Sequence, residues 1–275
     1  MTEQAHRRRE SQVDGWGGPS RPTTALRGLH GQTVETIGSR IVRGRYAPGS
    51  SLPPEELEQE FGISKTVLRE ALRVLAAKGL VDARQKRGTV VRPRSSWSLL
   101  DADLLRWQGG EPDAAFLDNL AEVRGIVEPA GARLAATRRN DDDLDAMRAA
   151  LQAMAEAGTD DAAAVVEADL AFHRALLDAA HNELLSRMEV VIEAGLRARD
   201  VLVHGGEYWP DPVPVHRAIL EAIEAGKGSA AAAAVDTLLE QASADAGRVE
   251  SAKPRARTRS TAASRARRSR GEPRS

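Results

Sequence analysis

The chain has no cysteine, few aromatic residues and no long apolar run. The absence of cysteine excludes disulfide bridges, thiolate metal sites and cysteine nucleophiles. Aromatic residues make up only 3% of the 275 residues and hydrophobic residues 41%, a composition that suits close-packed helices better than a sandwich or barrel. No stretch approaches the roughly 18 apolar residues that a membrane span needs, and the charged start does not resemble a signal peptide. We therefore expect a helical, cytoplasmic protein that does not contact a membrane.

The net charge of −1 conceals a strong division of charge along the chain. Residues 29–94 carry 12 positive and 7 negative side chains, residues 113–250 carry 12 and 26, and residues 251–275 carry 9 and 1. The basic segment near the start favours a polyanionic partner, whereas the acidic middle of the chain does not. The basic tail either adds salt-sensitive attraction to phosphates or is only a solvated appendage.

Composition and apolar spacing divide the chain into five segments. We expect a disordered N-terminal arm at 1–28 and a basic disordered tail at 247–275, because neither segment has apolar periodicity. Between them the pattern predicts a winged helix-turn-helix domain of three helices plus a β-hairpin at 29–94, a packed connector at 95–112, and an all-helical domain at 113–246. The predicted fold class is mainly α, and the second domain is expected to be an antiparallel all-α bundle of about six helices.

The first domain contains two short helices joined by a glycine turn. A helix is predicted at Pro54–Phe61, with Gly62 permitting the sharp turn after it, and a second helix from about Lys65 to Lys78. After it the spacing changes to alternation, which predicts a hairpin whose loop is Gln85–Gly88. Two helices in this arrangement are typical of proteins that insert the second helix into the major groove of DNA.

The outer face of the second helix carries the candidate DNA contacts. Arg69 and Arg73 have bidentate donors suited to guanine edges or phosphates, and Lys65 and Thr66 at the helix start can meet phosphates. The hairpin tip could follow an adjacent groove through Lys86 and Arg87. The alternative is that Arg69 and Arg73 only solvate the helix and pair with acidic neighbours such as Glu70.

Several stretches within 29–94 resemble the DNA-binding domain of GntR-family regulators. They are Leu52–Leu57, Phe61–Ser64, Val67–Arg73, Lys78–Val81 and Arg87–Val91. The helical remainder resembles the FCD-type ligand-binding domain of the FadR-like branch. The resemblance implies a homodimeric transcriptional regulator of the repressor type that binds double-stranded operator DNA and a small carboxylate effector. The DNA contacts that it implies are Ser64, Lys65, Thr66, Arg69, Arg73, Lys86, Arg87 and Gly88. Glu56 stands where the family often has an arginine, so one contact is expected to be missing.

Three residues of the helical domain could ligate a metal ion. Asp169 and His173 are four residues apart on one helical face, and His216 stands on the apolar side of a later helix. Three N and O ligands from two helices could hold a Zn, Ni or Mn ion and leave positions open for a carboxylate or water. The alternative is a hydrogen bond between Asp169 and His173 beside a histidine satisfied within the core.

The resemblance adds a fourth ligand and an effector site to this picture. In the FadR-like branch another histidine completes the metal site, but Leu238 occupies that position here. Either a weaker three-ligand site remains or the metal is lost and the cavity recognises its effector directly. Arg124 falls where the family places an effector-binding arginine, with a surface ion pair as the alternative. Asn182 is either an effector ligand or the N-cap of the following helix.

Two rival functions are also compatible with parts of the sequence. An Asp and two His with open coordination positions could activate water in a metalloenzyme, but no motif that supplies a general base or a nucleophile is present. A non-specific nucleoid-binding protein would explain the basic ends but not the acidic middle of the chain. The sequence therefore predicts a DNA-binding regulator and not an enzyme.

Overall fold

Helices dominate the structure. The computed structural model describes residues 28–84, 88–110, 112–158, 161–203 and 211–252. Within these residues a winged helix-turn-helix with one small sheet is followed by a bundle of helices. The predicted fold class, mainly α, is confirmed. Along the described helices no segment combines the length and the apolar character that crossing a membrane requires.

The winged unit is built from three helices and three short strands, which are α1 (Leu29–Val42), β1 (Ser51–Leu52), α2 (Pro54–Phe61), α3 (Lys65–Ala77), β2 (Val81–Arg84) and β3 (Gly88–Val91). Gly62 ends α2 in the left-handed conformation, with φ of 61°, which glycine adopts without strain. The Ser64 hydroxyl then accepts a hydrogen bond from the Val67 amide and caps α3. These two residues set the angle between α2 and α3.

The sheet has one strand more than the predicted hairpin. β3 pairs with β2 in antiparallel register, Val81 opposite Val91, and its other edge pairs with β1. β1 was missed because two residues are too few to show alternation. Of the predicted loop, Gln85, Lys86 and Arg87 lie outside the described residues.

The predicted connector contains a helix of its own. A single 3-10 turn at Arg94–Ser96 leads to α4 (Ala102–Gly109), which begins where the Asp101 side chain accepts from the Leu104 amide. Trp107 of α4 is 2% exposed and lies in the core of the winged unit. It packs so closely on Gly38 of α1 that a Cβ at that position would lie 2.3 Å from the indole ring.

The opposite side of α4 packs on the helical bundle. Leu105 joins Phe116, Leu120 and Val191 in a small separate core. One short helix therefore contributes side chains to two cores, and it joins the winged unit to the bundle by packing as well as by the chain.

Charged groups hold α4 against the winged unit. Lys78 at the end of α3 contacts the carboxylates of Asp101 and Asp103 at 2.8 Å each, and Arg106 donates to Glu35 of α1 at 2.6 Å. The contact with Arg106 lowers the pKa of Glu35. Burial works to raise the pKa of Asp103, but the contacts with Lys78 and Arg106 outweigh it and lower that pKa.

Replacing Asp103 with asparagine should lower the free energy of unfolding by about 1–2 kcal/mol at pH 7, because Lys78 loses a charged partner in a largely buried place. A carboxylate whose pKa is lowered by folding stabilises the fold above its unfolded pKa, and this stabilisation is lost as the pH falls through the folded value. The difference between wild type and Asp103→Asn should therefore shrink below pH 4 in urea titrations.

The matched control for this variant is Asp145→Asn, which breaks an exposed i,i+3 pair with Arg148. Its effect should stay within a few tenths of a kcal/mol at any pH. An Asp103→Asn effect that is the same at pH 7 and at pH 3 would contradict the electrostatic role of Asp103.

The bundle consists of seven described helices, which are α5 (Ala114–Arg138), α6 (Asp141–Ala157), α7 (Ala162–Asp178), α8 (Glu183–Ser186), α9 (Glu189–Val203), α10 (Val213–Glu224) and α11 (Gly228–Ala252). α11 packs along α5 and α6 along α7. The apolar core at their centre includes Phe172, Leu176 and Met147, which are fully buried, and two buried histidines, His173 and His216, pack against Phe172. The described bundle has one helix more than the six or so expected, because residues 183–203 form two helices, α8 and α9, with a break at Arg187 and Met188.

Candidate functional site

The outer stripe of α3 is exposed along its length. Leu68, Ala71 and Leu75 face the core, whereas Ser64, Lys65, Thr66, Arg69 and Arg73 are exposed to solvent. Thr66 and Arg73 also border an open groove of about 610 Å³ between α3 and the start of α1. The structure thus brings the five predicted contacts of this helix onto one surface.

The two arginines of this stripe differ in their partners. Arg73 donates to Glu70 at 2.7 Å, but its side chain is 67% exposed, and an exposed pair of this kind contributes little to stability. Arg69 forms no ion pair with any residue that the structure describes. The alternative of pairing with acidic neighbours therefore holds for Arg73 but not for Arg69. Because the pair with Glu70 is exposed and weak, Arg73 can leave Glu70 for a DNA contact at small energetic cost.

The wing is described only in part. Gly88 begins β3 with φ of 71° and is exposed. Lys86 and Arg87 lie outside the described residues, so their role as DNA contacts stays a prediction.

The three candidate ligands of the helical bundle lie together. Asp169 and His173 belong to α7 and His216 to α10, and their potential ligand atoms all lie within 4.8 Å of one another. Oδ1 of Asp169 is 2.7 Å from Nε2 of His216 and 3.4 Å from Nε2 of His173. Oδ1 of Asp169, Nε2 of His173 and Nε2 of His216 are buried, and none of the three has a hydrogen-bond partner among the residues that the structure describes. Such atoms are rare in folded proteins, and a cation among them would satisfy all three.

The far sides of both imidazoles also suit a metal site. Nδ1 of His216 lies 2.7 Å from the carbonyl oxygen of Pro212, which can only accept, so Nδ1 donates its proton there and Nε2 is the ring nitrogen that faces the cluster. Nδ1 of His173 lies 2.8 Å from Oε2 of Glu128. A second contact on the far ring nitrogen is the usual companion of histidine ligands. The residues present therefore fit a divalent ion, and Leu238, which is buried in the apolar core, adds no fourth ligand.

Glu128 is the central residue that sequence reasoning missed. It is 0% exposed, and Nε of Arg124, one helical turn earlier on α5, donates to its Oε1 at 2.6 Å. Burial would raise the pKa of Glu128, but the charges of His173 and Arg124 lower it to about 2. Burial would likewise lower the pKa of His173, yet Glu128 and Asp169 raise it to about 9. The i,i+4 spacing of Arg124 and Glu128 was the available signal.

Arg124 lies inside the bundle, which corrects the alternative of a surface ion pair. Arg124 is 6% exposed, and its Nη2 is buried and has no hydrogen-bond partner within the described parts of the chain. Gly195 of α9 allows this approach, because a Cβ there would lie 3.1 Å from Cδ of Arg124. A guanidinium with a free buried donor suits a carboxylate oxygen.

Asn182 acts as the N-cap of α8. Its side-chain oxygen accepts from the amides of Leu184 at 3.0 Å and Leu185 at 3.4 Å. The structure thus shows the N-cap that the sequence offered as one alternative, while a contact between Asn182 and an effector stays a prediction.

Two family models match this chain. Residues 29–91 match the model described as bacterial regulatory proteins, gntR family, and residues 119–241 match the FCD domain. The galactonate operon transcriptional repressor of Escherichia coli is 38% identical over 75% of this chain and 91% of its own length. An uncharacterised helix-turn-helix regulator of Mycobacterium tuberculosis is 37% identical over 74% of this chain and 84% of its own.

A solved structure supports the fold. It is that of Lar, described as controlling expression of the Listeria monocytogenes agr system, and it covers 81% of this chain and 98% of its own with a TM-score of 0.56. At 21% identity the similarity concerns the arrangement of helices and not the ligand.

Proposed function

The chain belongs to the GntR family of bacterial transcriptional regulators and carries an FCD domain, and from this premise we propose that it is a homodimeric repressor released or retained on its operator by a small hydroxy-carboxylate. Members of this family regulate transcription and are not enzymes. In this proposal residues 29–94 bind DNA, 95–112 connect the two domains, and 113–246 bind the effector. The observation that carries it is a buried arginine with a free donor beside a three-ligand cluster.

The DNA-binding half of the proposal depends on α3. The exposed side chains of Arg69 and Arg73 are two of the groups that would read base edges, with Ser64, Lys65 and Thr66 at the helix start meeting phosphates. A homodimer would present two such helices to the halves of a short inverted repeat. Beyond the described residues, the same assignment includes Lys86, Arg87 and the nine cations at 253–274, which would add salt-dependent attraction to DNA.

The effector half depends on Arg124 and the cluster. Asp169, His173 and His216 would hold a divalent ion of the Zn, Ni or Mn type, which when bound supplies a Lewis-acidic position for oxygen ligands. Nη2 of Arg124 would take a carboxylate oxygen, and an ion held by only three protein ligands would have coordination positions open for oxygen atoms of the same molecule. The relative from Escherichia coli is named for galactonate, a polyhydroxy acid, and this supports a sugar acid or a smaller hydroxy acid as the effector.

The test is a titration of the full chain against DNA, with and without the acid. Random duplexes are selected on the protein, the enriched duplex is labelled, and its affinity is followed by fluorescence anisotropy. We expect one inverted repeat to be enriched, and we expect galactonate or a smaller hydroxy acid, with Zn²⁺ present, to change the affinity about five- to 150-fold, the range of ordinary allosteric coupling. The control replaces the acid by the matching uncharged polyol.

Each failure of this test has a distinct meaning. If no sequence is enriched, the chain is a non-specific DNA-binding protein and the operator assignment is wrong. If a repeat is enriched but no acid of this class changes the affinity, the effector class is wrong while the DNA-binding half stands.

A further inference from the structure

One buried carboxylate connects the two parts of the effector site. Oε1 of Glu128 accepts from Nε of Arg124 at 2.6 Å, and its Oε2 lies 2.8 Å from Nδ1 of His173. Glu128 and His173 are 0% exposed, and Arg124 is 6% exposed. Burying a charged side chain costs free energy unless the charge is paired, and the contacts of Glu128 with Arg124 and His173 provide that pairing.

The geometry around His173 separates Glu128 from the ligand atoms. Nε2 of His173 faces Asp169 and His216, whereas Nδ1, on the other side of the ring, faces Glu128. A histidine that binds a cation through Nε2 carries its remaining proton on Nδ1, and a carboxylate there fixes both the tautomer and the ring orientation. Glu128 is therefore placed to support the ligand without touching the ion.

The same carboxylate restrains Arg124. With Nε committed to Glu128, the planar guanidinium cannot rotate freely, and Nη2 is buried with no partner among the residues described. The carboxylate serves both neighbours, because one oxygen accepts a hydrogen bond from Nε of Arg124 while the other is in ion-pair contact with Nδ1 of His173. Glutamine has one acceptor and would turn an NH₂ group toward one of the two donors.

We propose that Glu128 is a positioning residue that couples the metal ligand His173 to the effector arginine Arg124, so that binding at either end favours binding at the other. This inference depends on the proposed function, because it presumes that the cluster binds an ion and that Arg124 binds an acid. It adds that the two are not independent, and it assigns the coupling to one side chain.

The experiment measures metal binding and the state of Arg124 in the full chain. Zn²⁺ affinity is obtained by competition with a chromogenic chelator, and the Nε–H resonance of Arg124 is followed by NMR in protein labelled with ¹⁵N-arginine, assigned through Arg124→Lys. In wild type we expect Zn²⁺ to shift this resonance, although Arg124 is not a ligand. Glu128→Gln should bind Zn²⁺ 10- to 100-fold more weakly, the usual loss for such a partner of a ligand, and should no longer transmit the shift.

The control is Glu122→Gln, on an exposed position of the same helix, which should behave as wild type in both measurements. If Glu128→Gln proves insoluble, the double variant Arg124→Gln with Glu128→Gln removes both charges together, and its Zn²⁺ affinity should show the same loss.

The outcomes distinguish this inference from the proposed function. The role of Glu128 would be overturned if Glu128→Gln or the double variant binds Zn²⁺ tightly, or if the resonance shift persists without the carboxylate. The proposed function would survive that result. Absence of Zn²⁺ binding by wild type would overturn the metal site and the inference with it. Weaker binding together with loss of the shift supports the coupling.

Discussion

Replacing Trp107 with alanine should lower the free energy of unfolding by about 3–5 kcal/mol, the usual cost of removing a large buried aromatic side chain. Trp107 is 2% exposed and fills the space above Gly38, where even one additional carbon atom would overlap the indole ring. Neighbouring side chains cannot fill the resulting cavity easily, because α4 is held in place by Lys78 and Arg106. The measurement is urea denaturation followed by circular dichroism.

The control for Trp107→Ala is Leu100→Ala, which shortens a side chain that is 64% exposed just before α4. Its effect should stay within about 0.5 kcal/mol. A loss below 1 kcal/mol for Trp107→Ala would contradict the close packing of α4 on α1. The reverse substitution at the same contact, Gly38→Ala, should also destabilise, because it crowds the indole.

Replacing Arg69 with alanine should weaken binding to the selected operator by about 1–3 kcal/mol, roughly five- to 150-fold, because one bidentate contact to a base is lost. Arg69 is exposed on α3 and forms no ion pair with the described residues, so its removal should leave the free energy of unfolding within about 0.5 kcal/mol of wild type. Anisotropy titrations on the operator and on a scrambled duplex measure both the affinity and its specificity.

The matched control is Arg148→Ala, on an exposed position of the bundle far along the chain from the winged unit. It removes the same charge, so any general electrostatic effect on DNA binding appears in both variants. Equal losses for the two variants would mean that Arg69 contributes only charge. Unchanged operator affinity in Arg69→Ala would rule out α3 as the helix that reads bases.

Much of the winged unit could be predicted because its signals are local. Proline at the start of α2, Gly62 after it and the Ser64 cap fix helix ends through interactions within a few residues. The predicted limits of α2 agree with the structure, and the predicted start of α3 does as well. The alternation that predicts β2 and β3 is local too.

What the sequence pattern did not reveal depends on contacts between distant segments. β1 is a strand only because β3 offers it an edge, and α4 is a helix of eight residues within a connector rich in turn formers. The break between α8 and α9 contains neither glycine nor proline. Met188, beside that break, packs against two cores at once, and only the folded bundle shows this.

The candidate metal site was predicted from spacing, but its surroundings were not. The i,i+4 pair of Asp169 and His173 is readable from the sequence, and the apolar neighbours of His216 indicate its burial. Glu128 is separated from His173 by more than forty positions. Its proximity depends on how α5 packs on α7, which no local pattern encodes.

Because α4 packs on both the winged unit and the bundle, it determines where this helical domain could be exchanged for that of another regulator. A hybrid that exchanges the sensor before α4 would remove Trp107 and leave Gly38 facing an empty groove. A hybrid joined after Gly109 keeps the winged unit and α4 together, but Leu105 then needs a new apolar neighbour in place of Phe116 and Val191. The part that can be transferred to another protein is therefore the winged unit together with α4. Any replacement for the bundle must offer α4 an apolar surface.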